Sequence, residues 1–204
     1  MTDKNAAALG GDAVTALFRE CGALLEGHFL LSSGLHSNRY LQCALILQHP
    51  EKAALLGSAI AARFRSEKIG VVVGPALGGI LVAHEVARAL GVRAIFTERT
   101  NGVMSLRRGF RVERGERALV TEDVVTTGGS TREVMDVLAS AGATVAGVAS
   151  IVNRAGAASN PFAPIPFRSL LDVDVPTWEK DACPLCRSGE AGPAVKPGSR
   201  SATP

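Results

Sequence analysis

The residues best placed to do chemistry lie in Arg117-Ala-Leu-Val-Thr-Glu-Asp-Val-Val-Thr-Thr-Gly-Gly-Ser-Thr131. Ala118 to Thr121 is a short, mostly apolar run that reads as a buried strand of a parallel sheet. Glu122 and Asp123 then set two adjacent carboxylates where that strand should run out. Thr126 to Thr131 is a loop of Thr, Gly and Ser, and helical spacing follows at Val134, Val137 and Leu138. Glycines let backbone N–H groups converge, hydroxyls add donors, and the positive end of a helix favours an anion. Carboxylates beside a phosphate cradle must themselves be neutralised, which vicinal hydroxyls or Mg²⁺ would do. These residues describe a pocket for a phosphorylated sugar. A Walker-type loop would need Gly-Lys-Ser/Thr and a dinucleotide site would need G-x-G-x-x-G, and the loop has neither. Ser130 and Glu133 have capping-box spacing, which accounts for Ser130 but not for the acid pair.

Three further stretches could contribute. Gly74-Pro-Ala-Leu-Gly-Gly79 joins a strand, Ile69 to Val73, to a helix that runs through Leu90 and stops at Gly91. A second strand–glycine–helix junction is either a second anion site or a tight turn with no ligand. Arg99 to Arg117 holds six arginines, two glutamates and three glycines, a basic hairpin in which Leu106, Phe110 and Val112 are too sparse for a core. It reads as a solubilising loop or as a lid whose guanidiniums grip a polyanion. Arg154 follows the β-branched strand Thr144 to Val152, and ligands in open α/β sheets gather at the carboxyl ends of strands.

The elements that must position these groups are legible from spacing. Val14, Leu17, Phe18, Cys21 and Leu25 have helical spacing, and Gly27 to Gln42 predicts two short strands around a turn at Ser32 to Gly34. Pro50 opens a helix with Ala53, Leu56, Ile60 and Phe64 as its apolar stripe, and Phe167 to Leu171 predicts a last strand after a linker, Pro161 to Pro166. The expected fold is α/β: a central, mostly parallel sheet flanked by helices on both faces, with a small N-terminal β-flap over the site. Residues 1–175 would form one domain, with the flap at about 24–48 and the lid at about 99–117. From Pro176 onward the Pro/Gly/Ala-rich chain reads as a tail; its single Cys183-x-x-Cys186, with no second pair or neighbouring histidine, predicts no bound zinc.

Composition sets bounds. The chain has 204 residues, 47% of them hydrophobic, enough for a real core, and a net charge of +3, too small to argue for nucleic acid. No apolar run reaches membrane-spanning length, the N-terminus lacks the pattern of a signal peptide, and four unevenly spaced cysteines give no disulfide framework. A cytoplasmic protein without membrane or nucleic-acid partners is expected.

The acid pair and its loop resemble the signature of the phosphoribosyltransferases, which bind phosphoribosyl pyrophosphate (PRPP); Thr121 stands at a position that is usually apolar. Ser33-Gly34, Ser37 and Tyr40 resemble the flap of the orotate-specific members, although many of these have a lysine where this chain has Ser32. The resemblance implies that PRPP is held by Glu122, Asp123, Val124, Val125, Thr126, Thr127, Gly128, Gly129 and Ser130. Glu122 and Asp123 would take the ribose hydroxyls, Thr126 to Ser130 the 5′-phosphate, and backbone donors near Gly78 the pyrophosphate. Thr126 and Arg154 would contact orotate, Arg154 through its carboxylate. Mg²⁺ would ride mainly on pyrophosphate and water, with no protein-only metal site. Relatives carry a catalytic lysine in the lid, and this chain has no lysine between Lys68 and Lys180. Arg99, Arg107 and Arg108, with Asp123, are therefore expected to serve catalysis, as fixed positive charges rather than acids. The family implies a homodimer that shares its lids. Alternatives are a transferase for a purine or uracil, and a non-catalytic PRPP sensor.

Overall fold

Val71-Val72-Val73 has no face that can be left in water, and Ala118-Leu119-Val120 repeats the pattern; both runs are fully buried. Such runs belong at the centre of a parallel sheet covered on both sides. The computed structural model describes residues 9–31, 33–156 and 159–197 and builds that sheet. Along the chain come α1 (Gly11–Glu20), β1 (Leu24–Leu30), β2 (His36–Leu41), α2 (Cys43–Leu47), α3 (Pro50–Ala62), β3 (Val71–Pro75) and α4 (Gly78–Leu90). Then follow β4 (Arg93–Thr100), β5 (Val103–Leu106), β6 (Arg117–Val125), α5 (Gly129–Ser140), β7 (Thr144–Asn153), β8 (Phe167–Asp172), β9 (Thr177–Trp178) and α6 (Pro184–Ser188). The main sheet has six strands in the order β5-β4-β3-β6-β7-β8, all parallel except the β4–β5 hairpin.

Alternate residues of the central strands feed two cores. Val72, Leu119 and Ile151 pack with α1, α2, α3 and α4 on one face, through residues such as Phe18, Ile46, Leu56 and Val86. Val71, Val73, Ala118, Val120 and Val148 pack with Val134 and Leu138 of α5 on the other. The expected α/β architecture is present.

Local departures have local reasons. The first helix ends at Glu20 because Gly22 adopts φ 63°, so Leu25 belongs to β1 and not to the helical stripe. In the basic segment, Leu106, Phe110 and Val112 do reach the second core, and Phe110 lies edge-on to Phe96 at 5.0 Å. The stretch expected as a linker contributes a buried Phe162, edge-on to Phe167 at 5.1 Å.

The flap is a second, antiparallel sheet, β1-β2-β9. Its third strand comes from the segment expected as a tail: Trp178 pairs with His36 and Thr177 with Ser37. The chain later returns to β1, where Val195 N–H donates to the His28 carbonyl (2.8 Å) and Leu30 N–H to the Val195 carbonyl (2.9 Å). Sequence composition hid this because β9 is two residues long and the returning strand makes only an isolated bridge.

Candidate active site

The crevice originates in an asymmetry of β6. Its pairing with β3 ends at Val73–Val120, yet its pairing with β7 continues to Val125–Asn153. After β3 the chain crosses through α4 to β4 on one side; after β6 it crosses through α5 to β7 on the other. Strand order therefore reverses between β3 and β6, the place where open α/β sheets bind ligands. Glu122 and Asp123 lie on the stretch of β6 that has lost its β3 neighbour, inside the strand and not beyond its end as expected.

Glu122 is buried, 8% exposed, and its carboxyl is pushed up to about 9, first by burial and then by the Asp123 charge. The Asp123 carboxylate accepts the Val124 N–H at 2.8 Å. Across the crevice it lies against Gly78, where a Cβ would run into it. Gly74 and Gly79 are equally crowded: a Cβ on the first would strike the Gly79 carbonyl and one on the second the Pro75 ring. Glycine is required here by close approach of two loops, and that is why the Gly74–Gly79 turn can reach the acid pair. The Ala76–Leu77 peptide within it is cis.

On the other side of the acid pair, Gly128 (φ 77°) starts α5 and lets the loop turn beneath the Phe162 ring, which a Cβ would strike. Arg132 fastens this turn, donating to the carbonyls of Thr127 and Pro161 at 2.7 Å each. The capping box does not form. The helix begins at Gly129 without a side-chain cap, and Glu133 pairs with Arg99 at 2.6 and 3.1 Å. The first-turn amides of α5 thus keep their capacity for an anion.

A cavity of about 740 Å³ opens beside the acids, lined by Tyr40, Asp123, Thr126, Thr127, Arg154 and Thr177 among others. Arg154 follows β7 in a turn built by Asn153, whose Oδ1 accepts the Ala155 N–H (2.9 Å) and whose Nδ2 donates to Asp172 (2.8 Å). The Arg154 N–H donates to the Val125 carbonyl at 2.8 Å, which ties the arginine to the strand of the acid pair. Its Nε is buried with no hydrogen-bond partner among the described residues, and burial lowers the pKa of its guanidinium, partly offset by Tyr40. A desolvated guanidinium with an unused N–H in a cavity wall is suited to a carboxylate.

The sequence-selected residues thus divide. Glu122, Asp123, Val124, Val125 and Thr126 to Ser130 form one continuous rim with Gly78 facing it, and Arg154 and Thr126 share a cavity. Of the three lid arginines, Arg99 adds positive charge near Glu122. Arg107 donates to Thr100 (2.9 Å), and Arg108 donates to Glu98 (3.0 Å) and lies over Phe96. Those two point their charge at their own hairpin, not at the acid pair. In the flap, Ser33 and Tyr40 line the cavity, whereas the buried Ser37 donates to the Pro176 carbonyl and so serves the C-terminal segment. Ser32 lies outside the described residues. Sequence reasoning missed two members. Cys43 abuts the Asp123 carbonyl (3.9 Å), and Thr177 reaches the cavity only through the β9 pairing, for which no local signal exists.

The phosphoribosyl transferase domain family matches residues 44–180. An orotate phosphoribosyltransferase of Pelotomaculum thermopropionicum is 54% identical over 189 residues, covering 93% of this chain and 97% of the relative. Another, of Heliobacterium modesticaldum, is 55% identical over 193 residues, covering 93% and 98%. The crystal structure of orotate phosphoribosyltransferase from Aeropyrum pernix superposes with a TM-score of 0.68 at 25% identity, covering 78% of this chain and 93% of that one. With a family model spanning most of its length and near-full-length relatives at more than half identity, the chain belongs to the phosphoribosyltransferase family, among the orotate phosphoribosyltransferases.

Proposed function

We propose that the chain transfers the ribose 5-phosphate group of PRPP to orotate, giving orotidine 5′-monophosphate and pyrophosphate, a step of pyrimidine nucleotide synthesis. The observation that carries this reading is the buried Arg154 Nε, without a hydrogen-bond partner among the described residues, in the same cavity wall as Asp123 and Thr126. A carboxylate is what separates orotate from uracil or a purine, and it is the group such an arginine selects.

The remaining roles follow from charge and reach. Asp123 and Glu122 bind the ribose hydroxyls. A Glu122 held neutral by burial can donate a hydrogen bond as well as accept one. Amides and hydroxyls of Thr126 to Ser130, with the adjoining Val124 and Val125 backbone, surround the 5′-phosphate. The Gly78 turn supplies amides to pyrophosphate. A ring nitrogen of orotate attacks the anomeric carbon, its proton passing to solvent, as the bond to pyrophosphate breaks through an oxocarbenium-like state whose positive charge the nearby Asp123 carboxylate stabilises. Arg99, once released from Glu133, and Arg107 and Arg108, once released from the β4–β5 hairpin, stabilise the departing pyrophosphate as permanent cations.

One accessible carboxylate beside a buried neutral one is too few ligands for a protein-only Mg²⁺ cage. The residues fit a Mg²⁺ ion carried mainly by pyrophosphate oxygens and water, where it would spread the leaving-group charge. A homodimer with lids shared across the interface, working in the cytoplasm, completes the reading. No helix among the described residues is long and apolar enough to cross a membrane. The test is the absorbance change of orotate with PRPP and Mg²⁺, run beside uracil, adenine and hypoxanthine. Conversion of orotate alone is expected; conversion of another base in its place would overturn the assignment.

A further inference from the structure

Four side chains outside the cleft, which the transfer reaction does not use, converge on the flap. His28 comes from β1, His36 from β2, and Cys183 and Cys186 from the C-terminal segment, 155 and 158 residues beyond His28. Their nearest N and S atoms all lie within 4.8 Å of one another. Cys183 Sγ and Cys186 Sγ are each 3.6 Å from His28 Nε2, Cys186 Sγ is 3.4 Å from His36 Nδ1, and the two ring nitrogens are 2.8 Å apart. A tetrahedral ion with bonds of about 2.0–2.3 Å sets its ligands about 3.3–3.8 Å apart, so the cluster needs only small adjustments to close around one.

Several features prepare the cluster for a cation. His28, His36 and Cys183 are buried, and both cysteines are free thiols. The other nitrogen of His28, Nδ1, lies 2.8 Å from the Gly192 carbonyl. A carbonyl can only accept, so Nδ1 carries the proton and Nε2 presents its lone pair to the cluster. Backbone carbonyls commonly fix metal-bound imidazoles in this way. The surrounding chain is organised around the same point. The His36–Trp178 pair leads in, Cys183 precedes α6, and Val195 closes back onto the His28 and Leu30 backbone. Little apolar surface secures this segment; among its described residues, Cys183 is the one that is fully buried.

We propose that His28 Nε2, His36 Nδ1, Cys183 Sγ and Cys186 Sγ form a structural Zn²⁺ site that fastens the C-terminal segment to the flap. Binding replaces the two thiol protons, which leave to solvent, and changes no oxidation state. Two thiolates and two imidazoles suit zinc and not Mg²⁺, and four protein ligands leave no open position for catalysis. The effect on function runs through the flap. β2 continues from His36 to Tyr40, and the C-terminal segment supplies Thr177; both line the cavity beside Arg154.

The test needs no substrate, so its outcome is independent of the transferase reading. The full chain is purified under reducing conditions without chelator, and zinc is counted by elemental analysis. About one zinc per chain is expected. Cys186→Ala, at an exposed position, should cut zinc affinity by more than the roughly 10–100-fold typical of losing an outer-shell partner. Cys186→His should retain the metal. Co²⁺ added to metal-stripped protein should produce the visible bands of a tetrahedral centre and thiolate-to-cobalt charge transfer, and both should disappear in Cys186→Ala. If a cysteine variant does not fold, the cobalt spectrum of the unaltered chain decides. Zinc retained undiminished in Cys186→Ala, a Cys183–Cys186 disulfide in the reduced preparation, or stripped protein that takes up no Co²⁺ would each overturn the proposal.

Discussion

Glu122→Gln should stabilise the ligand-free protein while disabling it. The folded chain holds the Glu122 proton up to about pH 9, whereas the unfolded chain releases it near the ordinary 4.5. Unfolding therefore releases a proton throughout that window, and stability falls as pH rises through it. The gap between 4.5 and 7 is worth up to about 3 kcal/mol, at roughly 1.4 kcal/mol per unit. Glutamine has the same shape and no charge to bury, so its variant escapes this loss. Every other titrating group is common to the two proteins, and the difference between their pH profiles reports Glu122 together with its coupling to Asp123. Denaturant unfolding at a series of pH values from 4 to 9 should give curves that converge below pH 4.5 and separate by about 3 kcal/mol at pH 7. For a chain of this size that separation is roughly 6–12 °C in Tm. Turnover of PRPP and orotate should fall in the same variant if Glu122 holds the ribose hydroxyls as proposed. Parallel profiles would mean that Glu122 is ionised in the folded state, and the argument from burial would fail.

The other predictions concern the two sides of the crevice. Arg154→Ala should raise KM for orotate by about 10²-fold or more, with KM for PRPP within a few-fold; equal effects on both would remove the carboxylate assignment. Gly78→Ala drives a Cβ into the Asp123 carboxylate and should lower kcat/KM for PRPP by about 10²-fold, the usual penalty for a shift of roughly 1 Å; wild-type kinetics would show that the two loops are not in register. Arg99→Ala, Arg107→Ala and Arg108→Ala should each reduce turnover by about 10²-fold if these cations replace the lysine of relatives. Near-wild-type rates in both Arg107→Ala and Arg108→Ala would assign them to the hairpin alone, where Glu98 already holds them.

The part of this molecule that sequence makes legible is the part built from consecutive residues. The acid pair, the threonine–glycine loop and the following helix occupy one run of β6 and α5, so strand, turn and helix signals add up in a single window. The same holds for β3, the Gly74–Gly79 turn and α4, and for Arg154 at the end of β7. Spacing could not reveal that β6 outruns its β3 partner by five residues, because the end of a pairing is a property of two strands. Nor could it foresee that Phe110 and Phe162, each isolated among polar or proline-rich neighbours, would find Phe96 and Phe167. The C-terminal segment is the extreme case. Its Cys183-x-x-Cys186 lacks a histidine within the local window in which such pairs are sought, and it acquires two only when a hairpin near the other end of the chain folds against it. A composition of Pro, Gly and Ala gives that segment too little apolar surface to hold itself in place. A ligand set supplied from two ends of the chain would compensate for this, at the edge of the sheet that carries Tyr40 into the cavity beside Arg154.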